Sequence, residues 1–277
     1  KQVIAHLGER VTLITDVRQP VTPQSERLLV AISLANEAAL AKSIDRIMET
    51  DPNAQKIEFD DHIIWEITPE DDEFDELPVL TLDDDFVGAD SDFFDDEFEE
   101  EEEGFLTAAA ISVAKGHLLI SSHVDFIEDI LARQNGDPKL ADTQEFKDVE
   151  KLIDALGVGE GSSGRSFIRL DEAARGSYEL LRQGLMPESE GLIGKALNRV
   201  FGPEEKGMKR EQKIDGSKLP PFDQIEDFFR SGGLYIHTEQ DGWSLAGGIL
   251  AAVEAEATSD SGPALSTAAN EDAEETK

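Results

Sequence analysis

The residues best placed to do chemistry are the carboxylates Asp83, Asp85, Asp90, Asp92, Asp95 and Asp96, a density of hard oxygen donors that suits calcium. Their spacing fits a calcium loop only in part. A twelve-residue loop begun at Asp83 has Asp85 at its third place and Gly88 at its sixth. Val87 then fills the fifth and Phe94 the twelfth, where a bidentate Glu belongs. Asp83, Asp85, Asp90 and Asp92 therefore stand as calcium candidates beside the plainer reading of loose ion condensation on an acidic stretch.

Those residues sit in a longer run. Positions 70–103 hold 19 carboxylates and no Lys or Arg, with Phe74, Leu82, Phe86, Phe93, Phe94 and Phe98 between them. Self-repulsion on that scale opposes burial, so the run is expected to be a solvated acidic insertion. Aromatics spaced through acid also suit docking, in which charge meets a basic partner and Phe anchors on it. On that reading Phe86, Phe93, Phe94 and Phe98 are the partner-binding residues.

Other chemistry has weaker support. His6, His62, His117, His123 and His237 are far apart and show no HExxH or HxH spacing. Gly157 to Gly164 is glycine-rich, but it lacks a Gly-Lys-Ser/Thr ending and precedes a strand pattern rather than a helix. Ser162, Ser163 and Ser166 have no Gly-x-Ser-x-Gly frame. The polar groups around Arg169, Asp171, Arg175 and Tyr178, and around Lys213, Asp215 and Lys218, are explained by capping and surface pairing. With no cysteine, disulfides, thiolate metal sites and a Cys nucleophile are all excluded.

Charge narrows the partners. The formal net charge is −36, from 61 acids and 25 bases. Setting aside 70–103 and the seven acids and one Lys from 254 onward leaves 35 acids against 24 bases, an ordinary acidic domain. Such a field repels nucleic acid, whose binding rests on Lys and Arg neutralising phosphates, and disfavours anionic membranes. No apolar run approaches the ~20 residues that span a bilayer. The opening on Lys1 within an apolar stripe of Val3, Ile4 and Leu7 reads as a fragment or processed product, with a signal or anchor expected upstream.

The elements that would position any site follow from periodicity. Strands are predicted over 11–16 and 28–34, then a helix over 37–49 capped by Asn36, with Leu40, Ile44, Ile47 and Met48 on one face. A hairpin of 56–58 and 62–67 turns at Asp60-Asp61, and a second, of 108–113 and 117–121, turns at Lys115-Gly116. Ser122 with Asp125 matches a capping box for a helix over 124–133. Helices over 143–156, 172–183 and 192–200 follow, with a strand over 166–170. A last hairpin pairs 234–238 with 243–250 across Gln240-Asp241-Gly242. Trp65 and Trp243 are both expected in the core.

Hairpins alternating with single helices predict an α+β fold, an antiparallel sheet built from hairpins with its helices on one face. The expected organisation is 1–69 and 106–250 as two parts of that domain, 70–105 as a disordered acidic insertion and 251–277 as a disordered tail.

The segments HLGERVTLITD, LLVAISLANEAALAKSIDRIM, AAAISVAKGHLLISSHVDFIEDIL, LADTQEFKDVEKLI and GGLYIHTEQDGWSLAGGIL resemble a family of bacterial envelope proteins of unknown function. That family shares a Leu-Gly opening, an Ala-rich helix, a hairpin with Gly at its turn and a Leu-Ala-Asp…Phe helix. The resemblance spans most of 1–250 apart from the insertion, which departs from the pattern. It implies an extracytoplasmic location in the periplasm, envelope or secreted fraction, and brings no catalytic residues. The expected role is thus non-enzymatic, structural or protein-binding. A hydrolase or metal-dependent enzyme whose residues converge only in three dimensions is the alternative.

Overall fold

The structure, a computed structural model, describes residues 3–68, 109–134, 136–157, 162–191, 194–195, 197, 211–239 and 242–251. The first half of the fold is β1 (Leu7–Val17), β2 (Glu26–Leu34), α1 (Glu37–Met48), β3 (Ala54–Phe59), β4 (His62–Ile67), β5 (Ala110–Ala114), β6 (His117–Ser121) and α2 (Val124–Ala132). Its six strands form one sheet in the order β1-β2-β6-β5-β4-β3, every neighbouring pair antiparallel. Because β4 and β5 are neighbours, the acidic run is inserted in the connection of one antiparallel pair.

The turns work as their residues dictate. Asp60 and Asp61 have φ of 43° and 63°, and Lys115 and Gly116 have 52° and 78°, both the left-handed pairs that match strand twist in a two-residue hairpin. Lys115 then reaches the end of α2, where its Nζ donates to the carbonyls of Ile130, Leu131 and Arg133 at 3.0, 2.9 and 2.7 Å. A cation there satisfies carbonyls that the helix leaves unpaired.

The α+β class and its antiparallel hairpins are as the sequence predicts; the placement of the helices is not. Val30 and Ile32 share one face with Trp65, Ile111, Leu118 and Ile120 and pack on Leu40, Ile44 and Met48 of α1. Leu29 and Ala31 share the other with Ile64 and Leu119 and pack on Phe126, Ile127 and Leu131 of α2. The helices thus lie on opposite faces. The physical reason is visible in β2 and β6, whose apolar runs do not alternate with polar residues and so require cover on both sides. On the α2 side, β5 presents only Ala110, Ser112 and Ala114, small residues that leave space for Phe126.

Caps divide in the same way. Asn36 Oδ1 accepts from the Ala39 N–H at 3.1 Å, as expected. Ser122 does not cap α2; the N-cap is His123, without a side-chain bond. The Ser122 hydroxyl instead accepts from the Leu28 N–H at 2.9 Å, extending the β6 to β2 pairing by a side chain.

The second half contains α3 (Gln144–Ala155), β7 (Gly164–Ile168), α4 (Leu170–Gln183), β8 (Gly232–Thr238) and β9 (Trp243–Ile249). Its strands make a separate antiparallel sheet, β7-β8-β9, where the sequence predicts one sheet for the whole domain. Val149 and Ile153 of α3 are fully buried against it. The approach is close because Gly233 has no side chain: a Cβ there would meet Ile153 Cδ1 and Val149 Cγ1, each at 2.7 Å. Helix α4 packs on the first sheet through Gly176, whose missing Cβ would lie 3.0 Å from Val17 Cγ1. Val21, Leu180 and Met186 form a small core beside it. Most of the helix expected over 192–200, and the Gln240-Asp241 turn, lie outside the described residues.

Candidate functional site

The calcium candidates Asp83, Asp85, Asp90 and Asp92 and the docking candidates Phe86, Phe93, Phe94 and Phe98 all lie outside the described residues. Among the described residues no group of three or more His, Asp or Glu side chains could hold a metal ion. Histidines are engaged with nearby groups: His117 Nδ1 lies 2.9 Å from the Lys115 carbonyl, and His123 Nδ1 lies 2.8 Å from Ser122 Oγ. His123 Nε2 also lies 3.2 Å from the Gln24 carbonyl, which ties the start of α2 to the β1–β2 loop.

Among the described residues the most buried charge is one that periodicity does not single out. Arg27, 8% exposed, stands on β2 opposite Asp16 of β1 and beneath Asp125 and Asp129, one turn apart on α2. Its guanidinium bonds Asp16 and, at 2.9 Å, Asp129, and lies 4.6 Å from the Phe126 ring centroid. Arg18 pairs with Asp125 from the other side. Burial alone would push the Arg27 pKa down. The bonds to Asp16 and Asp129 and the charges of Asp16 and Asp125 outweigh it and hold the group above the usual arginine value. The available signal was a lone Arg opening an apolar strand, with acids at i and i+4 on the helix that later covers it.

On α4 the structure brings together part of what the sequence grouped. Arg169 pairs with Asp171 at 3.1 Å and Glu172 at 3.2 Å, and Tyr178 donates to the Pro220 carbonyl at 2.9 Å. Arg175 bonds Asp223 at 2.8 Å and Glu226, with its charge 4.7 Å above the Phe222 ring, against which Tyr178 also packs. Its hydrogen bond with Asp223 is the main cause of a raised pKa. Lys218 pairs with Asp215 at 3.0 Å, and Asp215 also accepts from the Ser217 hydroxyl. Arg175, Glu179 and Arg182 line a cleft of about 350 Å³ with Pro20, Pro221 and Phe222. Arg182 Nη1 is chelated there by both Glu179 oxygens, at 3.1 and 2.8 Å. Its positive groups are answered by carboxylates of the same wall.

The second sheet has one face against α3 and one open. Ile168, Leu234, Leu245 and Ile249 on the open face are 40, 37, 63 and 60% exposed. The strand WSLAGGI alternates large residues outward with Ser, Ala and Gly inward, a signal readable in sequence but pointing opposite to the usual polar-out pattern. Trp243 belongs to this exposed set at 49%, whereas Trp65 is 4% exposed in the core, so the expectation of two core tryptophans holds for Trp65 alone.

The chain matches no protein-family model, no curated protein and no solved structure. Among the described residues no helix is long and apolar enough to cross a membrane.

Proposed function

We propose that this chain is a non-enzymatic, protein-binding or structural component of the bacterial envelope or secreted fraction, and that its partner is cationic. The single observation that carries this reading is the pairing of positive charge within the chain. Arg27, Arg165, Arg169, Arg175 and Arg182 each face carboxylates of the chain itself. The surplus behind the net charge of −36 is left to meet the surroundings, and a field of that sign steers basic partners. The acidic run, with Phe86, Phe93, Phe94 and Phe98, supports the same reading as a docking element. The extracytoplasmic setting rests on the sequence resemblance.

The test compares the intact chain with a deletion of 70–103, matched for folding by circular dichroism, as baits in envelope extract at low and high salt. Capture of basic proteins by the intact chain, lost at high salt and weakened by the deletion, is the expected result. Calcium titrated into both proteins separates cation binding from docking, because a true site gives a saturable, stoichiometric binding heat that the deletion removes. Turnover of an ester or phosphoester substrate, abolished by substitution of a single Asp, Glu or His, would replace this reading with a hydrolase.

A further inference from the structure

We infer that the open face of the β7-β8-β9 sheet is the docking surface for a cationic amphipathic polypeptide segment. The inference rests on the protein-binding reading above and adds to the acidic run a second, apolar contact surface and the amphipathic character of the partner.

The register aligns the surface. Leu234 pairs with Ser166 on one side and Gly247 on the other, Ile236 pairs with Leu245, and Gly232 sits between Ile168 and Ile249. Leu245 and Ile249 therefore stand as two ridges with Gly247 as the floor between them, and Leu234 and Ile168 continue the strip across the sheet. A sheet face left in water ordinarily carries Thr, Lys or Glu. Here β8 and β9 contain no Asp, Glu, Lys or Arg. Four bulky aliphatic groups on a rigid, glycine-backed sheet make the contiguous apolar patch that marks an interaction site.

Charge selects the occupant. A second copy would bring another −36, and an anionic lipid surface the same sign. The sequence that follows β9, 252–277, adds seven acids and one Lys, three of the acids by position 260. Apolar ridges bordered in sequence by acid are complementary to a segment with an apolar strip and a basic flank. For that partner alone the hydrophobic and Coulombic contributions have the same sign.

The experiment uses the full chain and two synthetic probes, an amphipathic Leu/Lys peptide and a Lys-only peptide of equal charge. The expected result is tighter binding of the Leu/Lys peptide, accompanied by protection of Trp243 from acrylamide. Trp243 is a natural reporter because Trp65 is buried. The L245S/I249S variant should weaken the Leu/Lys peptide by at least about tenfold, as expected for a central anchor, and leave the Lys-only peptide unchanged. The quenching arm needs no variant, so a misfolded L245S/I249S protein leaves the test intact. If both cationic peptides bind but the variant and Trp243 are indifferent, the inference falls and the protein-binding reading stands. If neither peptide binds, both fall. A concentration-dependent dimer in sedimentation that the variant abolishes would assign the face to a second copy. Variant-sensitive binding to neutral lipid vesicles would assign it to a membrane. Either result overturns the proposal.

Discussion

Arg27 Nη1 lies 2.9 Å from Asp129 Oδ2, a bond from the start of β2 to the helix that covers the sheet. With Asp16 on β1 and Asp125 on α2, this one guanidinium joins three separate elements. A planar fork can serve all three carboxylates at once, and the Phe126 ring beneath it restricts the plane in which it does so.

Removing that fork is expected to cost more than removing any of its partners. Arg27→Met should lower stability by about 3 kcal/mol, the low end for a broken buried pair, because the carboxylates left facing one another are partly hydrated. Asp129→Asn, at an oxygen-bearing side chain 61% exposed, should cost under about 1 kcal/mol. Arg27→Lys should recover only part of the loss, since an ammonium cannot fork. Urea unfolding of the three variants checks the order.

The two tryptophans should separate sharply. Trp65 is packed in the core and donates its indole N–H to Asp45 at 3.0 Å, tying α1 to β4. Trp65→Ala is expected to cost about 3 to 5 kcal/mol, and Trp243→Ala about 1 kcal/mol or less. Equal losses in thermal or chemical unfolding would contradict the assigned burial.

Gly233→Ala should destabilise the second sheet by about 1 to 3 kcal/mol through overpacking. The new methyl would meet not only Val149 and Ile153 but also the Ser166 carbonyl oxygen at 2.7 Å. Val149→Ala in the same chain is therefore expected to rescue only part of the loss, because the carbonyl belongs to the paired strand and cannot yield. Faster amide exchange confined to β7, β8 and β9 would report the site.

Asp148 should titrate low. Hydrogen bonds from Lys151 and then Gln144 favour its charged form and hold its carboxyl below the usual aspartate value. A group depressed in the folded state stabilises above its unfolded pKa and loses that contribution as pH falls through its folded pKa. The melting-temperature gap between the native chain and Asp148→Asn is thus expected to be constant near neutrality. It should close on acidification below the ordinary aspartate range. Scanning calorimetry across that range, with carboxyl titration by NMR, tests both parts.

What the sequence determined by itself was local. The period of Leu40, Ile44 and Met48, the Asn36 cap, the Asp60-Asp61 and Lys115-Gly116 turns and the strand 62–67 all rest on interactions within a few residues, and each appears where the pattern places it. The α+β class follows from their order. Tertiary structure alone decided the rest. It set α1 and α2 on opposite faces and divided the strands into two sheets. It took Ser122 from a cap to a strand contact, joined Arg27 to carboxylates up to 102 residues away, and left Leu245, Ile249 and Trp243 exposed. Those outcomes turn on which apolar surfaces find cover. An alternating strand records that it has a large side and a small side, but only the packed chain shows which of them meets a helix and which meets water.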